Sequence, residues 1–297
     1  MSPSALEVFR TPQFVMGARF GVVALAAGIL AGWVWRRWRD EPAPVAGILF
    51  VAASLAGLAT VRPVPPSGLT GLALLALAGS IFRSTRRITA LPALVAAPGA
   101  WLVAFDTNLP GPEWVRWLAF ASIAAGAPLA ASFDREHWRT MLGPVLFAVS
   151  VAGVFATVPD TEEARLLLGA IALIAVLAWP FRLATLGVIG SHVAVGLLIW
   201  VAVIGGEGRS ASVIGASGCL AILALEPIAR SLPGSARARI PSTMSIMLHL
   251  AVVYVASRVA GLRTDPLEAA LATGAALIVA LVACIVVGSR GGRLREA

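Results

Sequence analysis

The sequence predicts an all-α protein, a polytopic transmembrane helical bundle of about eleven spans. Three observations predict it. Apolar stretches of membrane-crossing length follow one another with hardly a break along 297 residues. Of these residues 59% are apolar and only 13% charged, with a mean hydropathy of +0.88, against about 25% charged in an ordinary soluble domain. The arginines fall mainly in alternate gaps between the apolar stretches. A soluble chain this apolar would lack the polar surface to cover itself, so lipid is the expected solvent.

A hydrocarbon core about 30 Å thick needs roughly 20 helical residues, with a range of about 17 to 25. On that ruler the spans fall near residues 18–35, 44–61, 67–83, 88–105, 115–132, 141–158, 164–180, 183–204, 211–229, 242–261 and 266–288. The first, behind a short basic arm, has the outline of a signal peptide. Trp33 to Trp38 and the arginines among them instead mark a stop at a membrane face, so it reads as a retained helix. In the fourth, Pro98-Gly99 is the clearest helix break. Broken helices expose backbone groups that can hold ions or substrates. Between the seventh and eighth, Trp179-Pro180-Phe181-Arg182 makes a tight corner, with proline ending one helix and opening the next. The gaps are short, which predicts one integral-membrane domain over residues 1–297 and no soluble domain.

The charges orient this bundle. One set of alternate gaps, from Arg36 to Arg295, holds 15 of the 23 basic residues, and the other holds 8. The acids lean the opposite way, with 6 in the first set and 9 in the second. The positive-inside rule then predicts an outside amino terminus and a cytoplasmic carboxyl terminus, in the plasma membrane. Tryptophans 33, 35, 38, 114, 117, 138, 179 and 200 lie near span ends, as an interfacial belt should.

Segments also echo one another. Ser54-Leu55-Ala56-Gly57-Leu58-Ala59-Thr60-Val61 resembles residues 150–158, and Phe82-Arg83 resembles Phe181-Arg182. The matches keep orientation and outline a parallel 3+4+4 repeat with units 18–87, 88–182 and 183–290. The plainer account is chance alignment among helices rich in Ala, Leu, Gly and Val.

Composition narrows the chemistry. All basic residues are arginine, so Schiff-base and lysine-base catalysis are excluded. Cys219 and Cys284 fall at different depths, which disfavours a disulfide. The net charge of +8 is spread over span ends instead of one polar face, which argues against nucleic acid as a partner. No phosphate-binding loop, H-E-x-x-H, C-x-x-C or G-x-S-x-G run occurs, and three histidines with two dispersed cysteines predict no metal site and no cofactor.

Ionisable groups inside a membrane are costly, about 2.5 to 3.5 kcal/mol on insertion scales, and so are functional suspects. His192 is placed near the midplane beside Gly190 and Ser191, and an imidazole with a pKa of about 6.5 suits proton relay. His249 sits where it can face His192 or Glu226 across helices, and these three with Pro98 make a candidate substrate or proton pathway. Plainer accounts are a neutral imidazole bonded to a carbonyl, an ion pair of Glu226 with Arg230, and a kink. At the outer face Asp106, Asp160 and Glu163 offer carboxylates for acid–base work on a lipid-linked sugar. They also read as turn and helix-capping residues. The loop from Phe133 to Arg139 reads as a solvated turn.

The leading functional expectation is a transporter or carrier of a small or amphipathic solute. Two alternatives stand beside it. One is an integral-membrane enzyme acting on a lipid-linked envelope precursor, and the other is an accessory subunit that scaffolds other membrane proteins. Membrane lipids are the expected partners in every case.

Overall fold

The computed structural model describes residues 9–61, 63–84, 91–105, 111–136, 146–147, 149–153, 162–170, 173, 176–177, 181–205, 210–231, 247–254, 256 and 265–293. These residues are all-helical apart from connections and one isolated bridge. Among the described residues nine helices carry the fold: α1 Pro12–Arg36, α2 Ala46–Val61, α3 Pro66–Ser84, α4 Leu91–Ala104, α5 Glu113–Glu136, α6 Glu162–Ala170, α7 Val188–Gly205, α8 Ser210–Ser231 and α9 Pro266–Arg293. Each falls on an expected apolar stretch. Helical turns at 149–153 and 247–254 fall on the two others.

Among the described residues three helices are long and apolar enough to cross a membrane: Pro12–Arg36, Glu113–Arg135 and Pro266–Val286. They make this a membrane protein. Other helices carry shorter apolar stretches of 10–17 residues, among them Pro66–Phe82, Val188–Ile204 and Ser210–Ala221.

α7 is the innermost element. It packs against α2, α3, α4, α5, α6 and α8. From Ala194 to Val203 its described side chains are buried on every face, the pattern of a helix with protein all round it. Trp200 is 1% exposed, with Gly68 of α3 lying against its ring. It is therefore a core residue and not part of an interfacial belt. Trp38, at 82% exposed, and Trp33, at 54%, keep the belt position.

α1 makes its contacts differently. Thr11 caps it, its Oγ1 accepting from the Phe14 N–H at 3.3 Å, and Pro12 occupies the first turn. The buried residues of α1 are Gly17, Gly21, Ala24, Gly28 and Gly32, one stripe of small side chains. That stripe meets Leu166, Ala170, Leu177 and Leu183. A Cβ at Gly21 would stand 3.2 Å from the Ala170 Cα, and one at Gly32 would stand 2.9 Å from the Leu183 Cβ. Without a hydrophobic drive between helices in lipid, such close approach supplies the contact energy. The opposite face of α1 shows Val22, Val23, Ile29 and Leu30 to the surroundings.

α4 runs unbroken through Pro98, so the expected break is absent. Pro98 is exposed, and its missing N–H falls on the outer side of the helix. Gly99 beside it meets α3, where a Cβ would lie 2.7 Å from the Gly71 carbonyl oxygen.

The true interruption lies elsewhere. Residues 181–187 are non-helical, with Arg182 at φ 48 and Gly187 at φ +74, so the stretch expected to be helical from 183 becomes helical only at Val188. Cys219 and Cys284 are both buried free thiols, in keeping with the expected absence of a disulfide.

The small-residue stripe gives a test. Gly21→Leu is expected to lower stability by about 1–3 kcal/mol, the usual cost of overpacking, whereas Val22→Leu on the exposed face leaves it unchanged. Thermal unfolding in detergent, followed with a thiol-reactive dye on Cys219 and Cys284, measures both.

Candidate functional site

The non-helical segment 181–187 needs partners for its backbone groups, and four elements supply them. The Arg36 guanidinium at the end of α1 donates to the carbonyls of Phe181, at 3.1 Å, and of Arg182. Ala43, just before α2, donates to the Leu183 carbonyl at 2.9 Å and accepts from the Thr185 N–H at 2.9 Å, forming a parallel bridge. Ala46 and Gly47 donate to the carbonyls of Thr185 and Leu186. Asp134, in the last turn of α5, takes the two N–H groups at the end of the segment: Leu186 on Oδ1 at 3.2 Å and Gly187 on Oδ2 at 3.0 Å.

Asp134 is 3% exposed, so the expected solvated turn is, at this residue, a buried structural carboxylate. Its charge lies at the amino-terminal end of α7, where the helix dipole favours an anion. Gly187 has φ +74, a left-handed conformation that favours glycine, and a Cβ there would run into Pro44.

Where the segment leaves the helical cylinder, a cavity of about 570 Å³ opens at this end of the bundle. Trp35 and Arg39 line it from α1 and the turn behind it, Phe82 from α3, Asp134 and Arg135 from α5, and Val188 from α7. The arginine-bearing ends of α1 and α5 and the Arg182 turn thus converge, while Gln13 and Glu162 meet at the opposite end at 2.9 Å.

His192 lies one turn behind the cavity wall formed by Val188 and Ile189. It is fully buried and nearer the arginine-rich end than expected, because α7 starts late. Its Nδ1 lies 2.8 Å from the Val188 carbonyl, which can only accept, so Nδ1 carries the hydrogen. Nε2 is then a bare lone pair, buried and without a partner among the described residues. Phe82 stands beside the ring, 5.8 Å between centroids. Phe82 also lines the cavity, so one side chain touches both the cavity and the imidazole.

His249 is not brought to His192. Its Nε2 lies 3.0 Å from Ser150 Oγ, and that hydroxyl donates to the Cys219 carbonyl at 3.0 Å. The hydroxyl has one hydrogen, so His249 donates to it, and the chain stitches three helical segments together.

Glu163 is 9% exposed in the first turn of α6, where a carboxylate suits the helix dipole. Glu162 beside it accepts from Gln13. Glu226 lies on α8, which continues through Pro227 to Ser231. Its side chain, together with Asp106 and Asp160, lies outside the described residues. Pro98 is remote from the cavity lining.

Sequence reasoning passed over Arg39, Trp35 and Asp134. A signal for Asp134 was present: a carboxylate next to buried Phe133, facing the glycine-preceded start of the most apolar helix.

Asp134→Ala is expected to destabilise the protein by about 1–3 kcal/mol, the cost of leaving buried donors unmet. Asp134→Asn, which keeps one acceptor oxygen, should fall between wild type and Ala. Chemical or thermal unfolding in detergent reads the order. No protein family, curated protein or solved structure matches the chain.

Proposed function

We propose that the chain is a multi-pass carrier of an amphipathic solute in the plasma membrane, with about eleven spans in a 3+4+4 arrangement. In this reading the amino terminus is outside, and the arginine-rich end with its cavity is cytoplasmic. The observation that carries the reading is the polar cavity of about 570 Å³ sunk into that end, bounded by an unwound segment of the innermost helix stretch. Non-helical backbone within an apolar protein is tolerated where it is buried or lines a cavity, and in carriers such segments flank the solute site. Phe82 serves as the barrier between the cavity and His192, whose open lone pair can accept a proton or a donor group of the solute.

The cavity favours a carrier over a scaffold, which would need only an outer face. The envelope-enzyme alternative is less well supported, since Glu163 is buried at a helix start and lines no cavity described here.

Topology has a direct test. In a background free of Cys219 and Cys284, Glu113→Cys should react with a membrane-impermeant maleimide on intact cells and Asp40→Cys should not. Labelling of Asp40→Cys from outside would reverse the orientation.

For transport, proteoliposomes should speed the transbilayer movement of at least one fluorescent amphiphile from a set with anionic, zwitterionic and cationic headgroups. The acceleration should depend on pH and be lost in His192→Ala. No movement of any of them refutes the carrier, and unchanged movement in His192→Ala removes the imidazole from it.

A further inference from the structure

Two concavities share a wall at the end of α1. The inner one is the cavity described above. The outer one, about 580 Å³, is lined by Ala27, Leu30, Ala31 and Val34 and runs along the exposed face of α1. Trp35 and Arg39 line both. The outer groove is therefore apolar for about 10 Å of helix, at 1.5 Å per residue, and ends on a guanidinium and an indole.

The geometry points to a binding site for a membrane glycerophospholipid, its phosphodiester between Arg39 and Arg135 and one hydrocarbon chain along Ala27–Val34. This rests on the carrier reading for its role and names the solute class of the same cavity.

Three observations support the assignment. The first is a vacant donor: Trp35 Nε1 is buried and has no hydrogen-bond partner among the described residues. A buried unmet donor costs about 1–3 kcal/mol, and the residue that carries it lines both concavities.

The second is the division of labour among the arginines. Arg36 is spent on the carbonyls of 181 and 182, and Arg37 lies over the Trp33 ring at 4.2 Å, while Arg39 and Arg135 line the cavity. Guanidinium groups pair with phosphate through charge-assisted hydrogen bonds.

The third is the balance of acids. Asp134 is committed to two backbone N–H groups, which leaves Glu41, an exposed side chain, as the other acid on the lining. With Asp134 and Glu41 against Arg39 and Arg135 the lining carries no net charge, which suits the single charge of a phosphodiester better than a phosphomonoester dianion. The apolar groove, continuous with the headgroup position through Trp35, selects a lipid over a free anion.

Native mass spectrometry of the detergent-purified full chain tests the site. Phosphatidylglycerol, diacylglycerol and glycerol 3-phosphate are each titrated. Phosphatidylglycerol should bind about ten-fold more tightly than diacylglycerol, a difference of 1.4 kcal/mol, and glycerol 3-phosphate should not be retained. Arg39→Gln and Arg135→Gln should each weaken phosphatidylglycerol to near the diacylglycerol level. Trp35→Phe, which keeps the ring and removes the N–H, should weaken it less. Arg19→Gln, nearer the opposite end of α1, should bind like wild type.

Equal binding of diacylglycerol would mean the groove alone holds the lipid, and equal binding of glycerol 3-phosphate would mean an aqueous anion site. Wild-type binding by both arginine variants would dispose of the headgroup site. Each of these overturns the assignment. If the expected pattern appears while no amphiphile crosses the bilayer, the lipid site stands and the carrier falls. If a phosphate-free amphiphile is carried and the pattern is absent, the reverse holds.

Discussion

Seven consecutive residues, 181–187, lie against the innermost helix without helical hydrogen bonds of their own, and in apolar surroundings each unmet backbone group costs several kcal/mol. That constraint organises this end of the molecule. The end of α1 must bring Arg36 to two carbonyls, the approach to α2 must lie alongside as a single bridge, and α5 must end on a carboxylate. Three helices are thereby fixed in position by main-chain chemistry before any side-chain packing is counted. The cavity follows from the same fact, because a non-helical segment occupies less width than the helical turns it replaces.

Elsewhere, closeness of backbones does what burial of large side chains does in water-soluble cores. α1 lies on its glycine stripe, α3 meets α4 at Gly71 and Gly99, and α2 meets α7 at Gly47 and Gly190. Large side chains fill only the space left around α7. Leu75 is an example, wedged between Gly99 and Gly196 and fully buried. Small residues at crossings and bulky ones between them give a mainly apolar interior, into which a few polar side chains such as Ser150, His192 and His249 are set.

The places of the described helices were legible in the sequence because lipid demands long apolar runs, and each described helix overlaps one of them. The late start of α7 was not. Leu183, Ala184 and Leu186 are as apolar as any helical residue, and only partners far along the chain (Ala43 and Asp134) decide that they run extended. Trp200 misled for the opposite reason: a ring near a helix end resembles an interfacial anchor until Gly68 of another helix is seen lying on it. Of the candidate site, His192 was marked by its cost in an apolar span. Arg39 and Trp35 looked like ordinary features of a helix end, and only the fold sets them beside Arg135.

The bidentate grip of Asp134 on Leu186 and Gly187 joins the final turn of α5 to the two residues that lead into α7 through a pair of directional bonds. Such a joint behaves as a stiff tie rod. A pull on the end of α5 is delivered to the most enclosed helix of the described structure without passing through a chain of compliant contacts. The end of α5 and the deepest element therefore move as one mechanical piece.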